Sequence, residues 1–533
     1  MIRGQTNVPV EIEFRGRQAR RSDDEVEVDV VFTGPAGETW KVPAFWAGEN
    51  RFCVRFAAPA PGRYAYASLC SDPADAGLHN QRGELQVEAY AGDNALYRRG
   101  RLRVAESRRT LAHADGTPFF WLGDTWWMGL CRRLSWPADF QALAADRVAK
   151  GFSVIQIIAG LYPDMPAFDE RGANEAGFPW EPDYAAINPA YFDQADRRMD
   201  WLVRAGLVPC IVGCWGYFLP WMGVAKLKRH WRNLVARYGA YPVVWCLAGE
   251  GTMPYYLSAT REQDAKLQKT GWTELARYVR ALDPYHNLVT IHPTDNARDQ
   301  VEDPAVLDFD MLQTGHSDRQ SLPGTVRAVT GARARTPAMP VIDGEVCYEG
   351  IGEACRQEVQ RLMFWACLLN GAAGHTYGAN GIWQLNTRAK SYGPSPHGMS
   401  WGYTPWEEAH QLPGSAQLGL AKRFLEQFEW WAFEPHPEWV EPHGSETDYA
   451  APYAAGIPRR TRVIYVPLRW GLPTVKGIEP GVRYRASLFN PVNGEETAIG
   501  EVPPDGQGDW PIAGVAGTRN PPIYQDWVVV LRA

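Results

Sequence analysis

Met339-Pro-Val-Ile-Asp-Gly-Glu-Val-Cys-Tyr-Glu-Gly350 is the stretch that decides how the chain is read. A short apolar run, Pro340 to Ile342, stops at Asp343, Gly344 and Glu345. A short apolar run bounded by turn residues reads as a parallel strand buried on both faces, with carboxylates at its C-terminal end. Tyr241-Pro-Val-Val-Trp-Cys-Leu-Ala-Gly-Glu-Gly251 repeats the form and ends in Glu250. Two such strands opening at one mouth place two carboxyl groups in one space, the arrangement that cleavage of a glycosidic bond needs.

Working outward, strand-like and helix-like segments alternate from about Leu111, the pattern of a parallel α/β fold. Eight strands are expected: Phe119–Leu122, Ser153–Ile158, Val208–Val212, Val243–Leu247, Leu288–Ile291, Phe309–Leu312, Pro340–Ile342 and Ala372–Tyr377. Helices are expected over Ala138–Lys150, Tyr191–Ala205, Val224–Tyr238, Trp272–Leu282 and Arg356–Leu369, with a poorly helical link between strands five and six. Eight such units over roughly 300 residues predict a (β/α)8 TIM barrel, whose active site forms at the C-terminal ends of its strands.

Those ends are polar almost throughout. They offer Asp124, Trp126 and Trp127 after strand one, Gln156 in strand two, Trp215 after strand three and Glu250 after strand four. His292 follows strand five, Gln313 to His316 follow strand six, Asp343 and Glu345 follow strand seven, and His375, Tyr377 and Asn380 close the set at strand eight. Two segments rich in Pro and Gly, Gly160–Asn188 and Thr387–Gly402, are expected to form a rim, because long irregular insertions in compact domains are usually functional.

The flanks read as β. Residues 1–108 and 434–533 show short alternating strands separated by turns, such as Arg51–Phe56 with Arg63–Ala67, and Thr461–Val466 with Trp527–Leu531. They predict an N-terminal and a C-terminal β-sandwich around a barrel over 109–433.

Composition narrows the partners. The 533 residues carry 54 basic against 61 acidic side chains, a formal charge of −7, which argues against nucleic acid or an anionic membrane. No apolar run is long enough to span a bilayer. The start, Met1-Ile-Arg-Gly-Gln-Thr-Asn-Val8, has no apolar secretory core, so a cytoplasmic location is expected unless the start was trimmed. Nine scattered Cys, an odd number with no C-x-x-C pair, read as reduced buried thiols. Neither a metal-binding His spacing nor a Gly-rich phosphate loop occurs, so no metal or other cofactor is expected. The 23 Trp suit a site where sugar faces stack on indole, although a core also absorbs Trp.

Four stretches together resemble the apiosidase-like glycoside hydrolases. They are Trp121-Leu-Gly-Asp-Thr-Trp-Trp127, Gln313-Thr-Gly-His316, Asp343-Gly-Glu-Val-Cys-Tyr-Glu-Gly350 and Gly371-Ala-Ala-Gly-His-Thr-Tyr-Gly-Ala-Asn-Gly-Ile-Trp383. Val42 to Phe56 is similar to the module that usually precedes such barrels. The resemblance implies a barrel that cleaves glycosidic bonds with carboxylates after strands four and seven, which fall on Glu250 and Glu345. Many members carry Asp after strand four; Glu250 here extends the carboxyl by one methylene.

The expected division of labour puts Glu345 as the nucleophile and Glu250, beside the apolar surface of Trp245 and Leu247, as the protonated acid/base. Asp343 should share a face with Glu345 and orient its neighbours, and Glu349 should cap or contact substrate. Asp124, Gln156, His292, His316, His375 and Asn380 should bind sugar hydroxyls, and Trp126, Trp127, Trp215 and Tyr377 should stack on sugar rings. Two other readings use the same residues: a carbohydrate-binding protein on an inactive barrel, and a metal-dependent hydrolase.

Overall fold

The computed structural model describes residues 1–533. Its centre is an eight-stranded parallel sheet: strand one Trp121–Trp126, two Val154–Ile158, three Val208–Val212, four Val244–Cys246, five Val289–Thr290, six Asp310–Gln313, seven Val341–Glu345 and eight Gly374–Tyr377. The spatial order is five-four-three-two-one-eight-seven-six, so strand one pairs with strand eight and the sheet curls into a TIM barrel.

The circle has one seam. Strands five and six share no ladder and are joined by single hydrogen bonds: Asp308 N to Val289 O at 2.8 Å, Thr290 Oγ1 to Phe309 O at 3.1 Å and Gln313 N to Asp295 O at 3.0 Å. Here the chain has only two 3₁₀ turns, Ala297–Gln300 and Pro304–Val306, in place of a crossover helix. This is the link whose sequence lacked a helical pattern. Without a full crossover helix to pack against them, the two strands are not drawn into register.

Helices Ala138–Lys150, Pro189–Arg204, Phe218–Tyr238, Arg261–Leu282, Leu322–Ala334, Gln357–Leu369 and Pro413–Leu425 surround the sheet. Three depart from the sequence pattern. Leu322–Ala334 was not expected, because Gly324, Gly331 and two Thr weaken its propensity; packing supplies what propensity lacks. Phe218–Tyr238 starts earlier and breaks at Gly223, whose φ of 73° only glycine takes readily. Arg261–Leu282 also starts well before Trp272. Strand one is displaced too: Pro118–Phe119 pairs with Leu111–His113, which pairs with Leu102–Val104. This small antiparallel sheet takes two segments, one expected in the N-terminal sandwich and one in the barrel.

Before the barrel, a five-stranded sheet (Ile2–Gln5, Arg82–Glu88, Gly62–Cys70, Val28–Thr33, Thr39–Pro43 in spatial order) faces a three-stranded one (Val10–Arg15, Arg51–Phe56, Phe45–Trp46). After it, a six-stranded sheet faces a three-stranded one across a core that includes Trp439, Trp510 and Trp527. Both flanks are sandwiches; strands such as Val10–Arg15 alternate buried and exposed positions, whereas Thr461–Val466 and Trp527–Arg532 are buried almost throughout. Buried ion pairs attach them. Arg55 donates to Asp196 at 2.6 Å on the barrel helix that follows strand two. Arg361, on the helix after strand seven, grips Asp526 of the C-terminal sheet at 2.8 and 2.7 Å. No helix is long and apolar enough to cross a membrane.

Candidate active site

A cleft of about 340 Å³ opens at the C-terminal ends of the strands, the face where a barrel carries its site. Trp127, Trp215, Trp383, Trp401, Tyr256 and Tyr348 provide its aromatic walls, and Glu250 and Glu345 lie together within it.

Glu345 ends strand seven. Strands six and seven slip out of register here, so that Leu312 faces Asp343 but Gln313 faces Glu345, and Gly344 is the extra residue. A side chain at Gly344 would meet Met311 at 2.5 Å, so the bulge needs glycine. The Glu345 carboxylate is surrounded by donors. His316 Nε2 lies 2.8 Å from Oε1, Gln313 Nε2 donates to the same oxygen at 3.2 Å, the Tyr348 hydroxyl donates to Oε2, and His292 Nε2 stands 3.2 Å from Oε2. Burial pushes the carboxyl pKa up, but the hydrogen bonds and charge of His292 and His316 outweigh it and hold Glu345 well below the usual carboxylate range. His316 Nδ1 accepts the Tyr348 amide at 3.3 Å, which leaves Nε2 as the nitrogen that donates to Glu345.

Glu250 is held differently. Its backbone is left-handed, with φ 44°, a conformation that costs a non-glycine residue about 1–2 kcal/mol. Neighbours on both sides enforce it. Gly249 N donates to Cys214 O at 2.9 Å, Gly216 N to Gly249 O at 2.8 Å, and Gly251 N to His292 O at 3.0 Å. A Cβ on Gly249 would strike the Trp215 ring at 2.1 Å, so the tryptophan and the carboxylate loop interlock. Glu250 Oε1 accepts from Gln313 Nε2 at 3.1 Å and from no other side chain. Burial, then the charge of Glu345, push its pKa up to about 8. Because one nitrogen donates to both, the two Oε1 atoms are no more than about 6.3 Å apart, the sum of the two contacts.

Trp127, Trp215, His292 and His316 lie beside this pair, the two histidines with Nε2 toward Glu345 rather than toward the open cleft. Trp127 meets Trp215 and His292 edge to face, at 5.7 and 5.2 Å. Gln156 lies beneath the cleft inside the barrel and donates to Gly344 O at 2.9 Å, bracing the bulge rather than meeting a sugar.

The remaining candidates face away. Strand side chains alternate, and in strand one the inward set is Thr125 and Trp127. Asp124 and Trp126 therefore point outward. Asp124 is fully buried in an ion pair with Arg147 at 2.6 Å and accepts Trp126 Nε1 at 2.6 Å, while Trp126 packs edge-on against Phe140. Asp343 does not share a face with Glu345, because the Gly344 bulge breaks the alternation. It accepts from Cys367 Sγ and Thr314 Oγ1, both at 3.2 Å, and burial raises its pKa to about 7. His375 packs on Phe364 and burial lowers its pKa to about 3. The donor atoms of Asp343, Cys367 and His375 lie within 4.8 Å of one another, a grouping with the spacing to take a metal ion. It sits behind strands seven and eight against helix Gln357–Leu369, clear of the cleft. His292 and His316, by contrast, both turn Nε2 onto Glu345 itself.

Tyr377 donates to Glu349 at 2.6 Å, and Glu349 caps helix Pro413–Leu425 by accepting Gly414 N at 3.1 Å. Asn380 is buried in the loop after strand eight and accepts Gln384 Nε2 at 3.1 Å.

Residues not singled out from the sequence complete the cleft: Asp164 and Pro163 from the loop after strand two, Met253 and Tyr256 after strand four, Tyr348 and Ile351 after strand seven, and Trp383, His397 and Trp401 after strand eight. Tyr348 lies three residues beyond Glu345 and could have been found there. The two expected rim segments supply Asp164, His397 and Trp401. The hydroxyl of Tyr392, at 3.2 Å from Pro163 O, ties those segments together.

The model of the apiosidase-like catalytic domain matches residues 105–432, the whole barrel with both carboxylates. The chain belongs to the apiosidase-like family. It is a glycoside hydrolase of that family, and its N-terminal residues 7–71 match a domain of unknown function, DUF5060. No curated protein matches the chain. Among solved structures, this apiosidase-like protein is similar to a glycoside hydrolase at 23% identity and TM-score 0.66, over 81% of this chain and 97% of that one. It is also similar to a glycoside hydrolase of family 5 from Bacteroides vulgatus (22%, 0.66, 82% and 94%) and to a putative glycoside hydrolase from the same organism (16%, 0.69, all of both chains). At these identities the likeness speaks for the fold alone.

Proposed function

We propose that this protein hydrolyses a glycosidic bond of an oligo- or polysaccharide by a retaining double displacement, with Glu345 as nucleophile and Glu250 as acid/base. The observation that carries the proposal is the opposed proton affinity of two carboxyls on one amide donor. Glu345, ionised and oriented by His292, His316 and Tyr348, is the carboxylate that attacks the anomeric carbon. Glu250, with its pKa at about 8, carries at neutral pH the proton that the leaving sugar oxygen needs.

In the first step Glu345 bonds to the anomeric carbon as the glycosidic C–O bond breaks and Glu250 gives its proton to the departing oxygen. In the second, Glu250, now a carboxylate, takes a proton from water. The water oxygen bonds to the anomeric carbon and the Glu345 ester opens. The Tyr348 hydroxyl and the two imidazoles are placed to share charge with Glu345 as it leaves, the kind of stabilisation that fixed donors give at no reorganisation cost. Trp127, Trp215, Trp383 and Trp401 suit the C–H faces of sugar rings.

The test is a screen of pentosyl and hexosyl aryl glycosides, with the first-formed anomer of an active substrate read by NMR. Retention is the expected result. An inverted first product would replace the nucleophile role of Glu345 with that of a base acting on water.

A further inference from the structure

The cleft contains three carboxyls and no lysine or arginine. Its lining residues include Asp164, Glu250 and Glu345 and, as possible cations, His316 and His397, with His292 behind Glu345. His316 is committed to Glu345. Arg171, a guanidinium on the rim, is spent on Asp169 at 2.9 Å, on Pro394 O at 3.0 Å and on the face of Tyr392.

Asp164 takes no part in the proposed chemistry, yet it is built into the wall. It is almost buried, held in a left-handed conformation at φ 57°, and its Oδ1 accepts the Tyr256 hydroxyl at 3.0 Å. Tyr256 meets His397 edge to face at 4.6 Å, so the loops after strands two, four and eight close on one another around this carboxyl. Asp164 Oδ2 meets no protein donor. A nearly buried acceptor with an open lone pair, facing a sugar-sized space with aromatic walls, is a receptor for a hydroxyl proton.

We infer that Asp164 is a specificity-determining residue that accepts a hydroxyl of the sugar bound against it, and that beside the ionised Glu345, in a cleft lined by no lysine or arginine, it favours an uncharged sugar in this position over a uronic or sulfated one. The inference rests on the proposed function for its site and deepens it. A uronate carboxyl beside Asp164 would face the carboxylates of Asp164 and Glu345 with no guanidinium or ammonium lining the cleft to neutralise it. A neutral sugar brings the hydroxyl that Asp164 lacks, and sites built to pair a hydroxyl discriminate strongly against ligands that cannot supply it.

The experiment separates binding from turnover. Saturation-transfer NMR on the full chain compares free neutral pentoses and hexoses with their uronic-acid counterparts, for the wild type, Asp164→Asn and Asp164→Ala. Asn tolerates the left-handed backbone and keeps an oxygen for Tyr256, so Asp164→Asn preserves the fold. Neutral sugars should bind the wild type and uronates should not. Both variants should weaken the preferred neutral sugar at least tenfold and narrow the gap to its uronate. Uronate binding equal to neutral binding, no neutral binding at all, or unchanged affinity in both variants would overturn the inference. Aryl glycoside turnover is measured alongside. Asp164-dependent neutral binding without turnover would instead count against the hydrolytic mechanism and leave the specificity role standing.

Discussion

Glu250 and Glu345 accept hydrogen bonds from one and the same nitrogen, Nε2 of Gln313, at 3.1 and 3.2 Å. Glu345 has three further polar partners in His292, His316 and Tyr348, and Glu250 has none. That inequality assigns the proton between them, and the predictions begin from it.

Glu345→Gln keeps the side chain's shape and removes the attacking charge. Turnover on every substrate should fall by roughly three orders of magnitude or more while the substrate dissociation constant changes little. Single-turnover kinetics with calorimetry on the variant check both halves, and a loss confined to KM would point to a binding role.

Glu250→Gln should divide substrates by leaving group. Hydrolysis of a natural glycoside needs a proton on the departing oxygen and should collapse, whereas a dinitrophenyl glycoside should still release its phenolate. The glycosyl-enzyme should then accumulate, and added azide should discharge it as a glycosyl azide of retained configuration. Equal losses on both substrates, with no response to azide, would remove Glu250 from the acid/base role.

The pH profile should carry the same signature. Activity requires Glu250 protonated, so kcat/KM should fall on the alkaline side with an apparent pKa near 8, and Glu250→Gln should lose that limb on an activated substrate. Stability follows with a definite sign. The folded pKa of Glu250 lies above its ordinary value of 4.5, so between that value and about 8 the unfolded chain binds fewer protons and rising pH destabilises the fold. Asp164 and Asp343, raised to about 6 and about 7, tilt the curve the same way. Glu345 is depressed: its stabilisation is complete above its unfolded pKa and is lost only as pH falls through its folded one. Glu250→Gln should therefore raise the Tm more at pH 8 than at pH 5. Thermal melts across that range check the slope.

Asp124→Ala should act on stability. Removing Asp124 leaves the buried Arg147 with only Asp146 and His410 O and takes the acceptor from Trp126 Nε1, a loss of about 3 kcal/mol, the low end for breaking a buried pair. Denaturant unfolding measures it. Intact stability with a selective rise in KM would return Asp124 to the sugar-binding role that its sequence position suggested.

The positions of Glu250 and Glu345 were legible because each closes an apolar run, a signal that survives without tertiary information. Seven of the barrel strands were legible for the same reason, while the expected first one, Phe119–Leu122, falls across the boundary between the small antiparallel sheet and Trp121–Trp126. What the pattern hides is which way a side chain turns at a strand end. Asp124 and Trp126 sit on the outward parity of strand one, one residue from the inward Trp127. Asp343 leaves the face of Glu345 through a bulge at Gly344 that only packing against Met311 reveals. His375 and Tyr377 are polar residues near the mouth whose partners lie behind the sheet, and Asn380 is taken up within the loop after strand eight by Gln384. Asp164, Tyr256 and His397 belong to three loops far apart in sequence, so only the folded chain brings them together.

The seam between strands five and six has a mechanical meaning. A continuous ring spreads any distortion around its circumference, but a split ring flexes at the split. His292 stands on one lip and Gln313 and His316 on the other, and Glu345 holds to both. Widening the gap by even an ångström would pull these donors off the carboxylate and raise its proton affinity, so the joint where the barrel yields most easily is also the one that tunes its most acidic group.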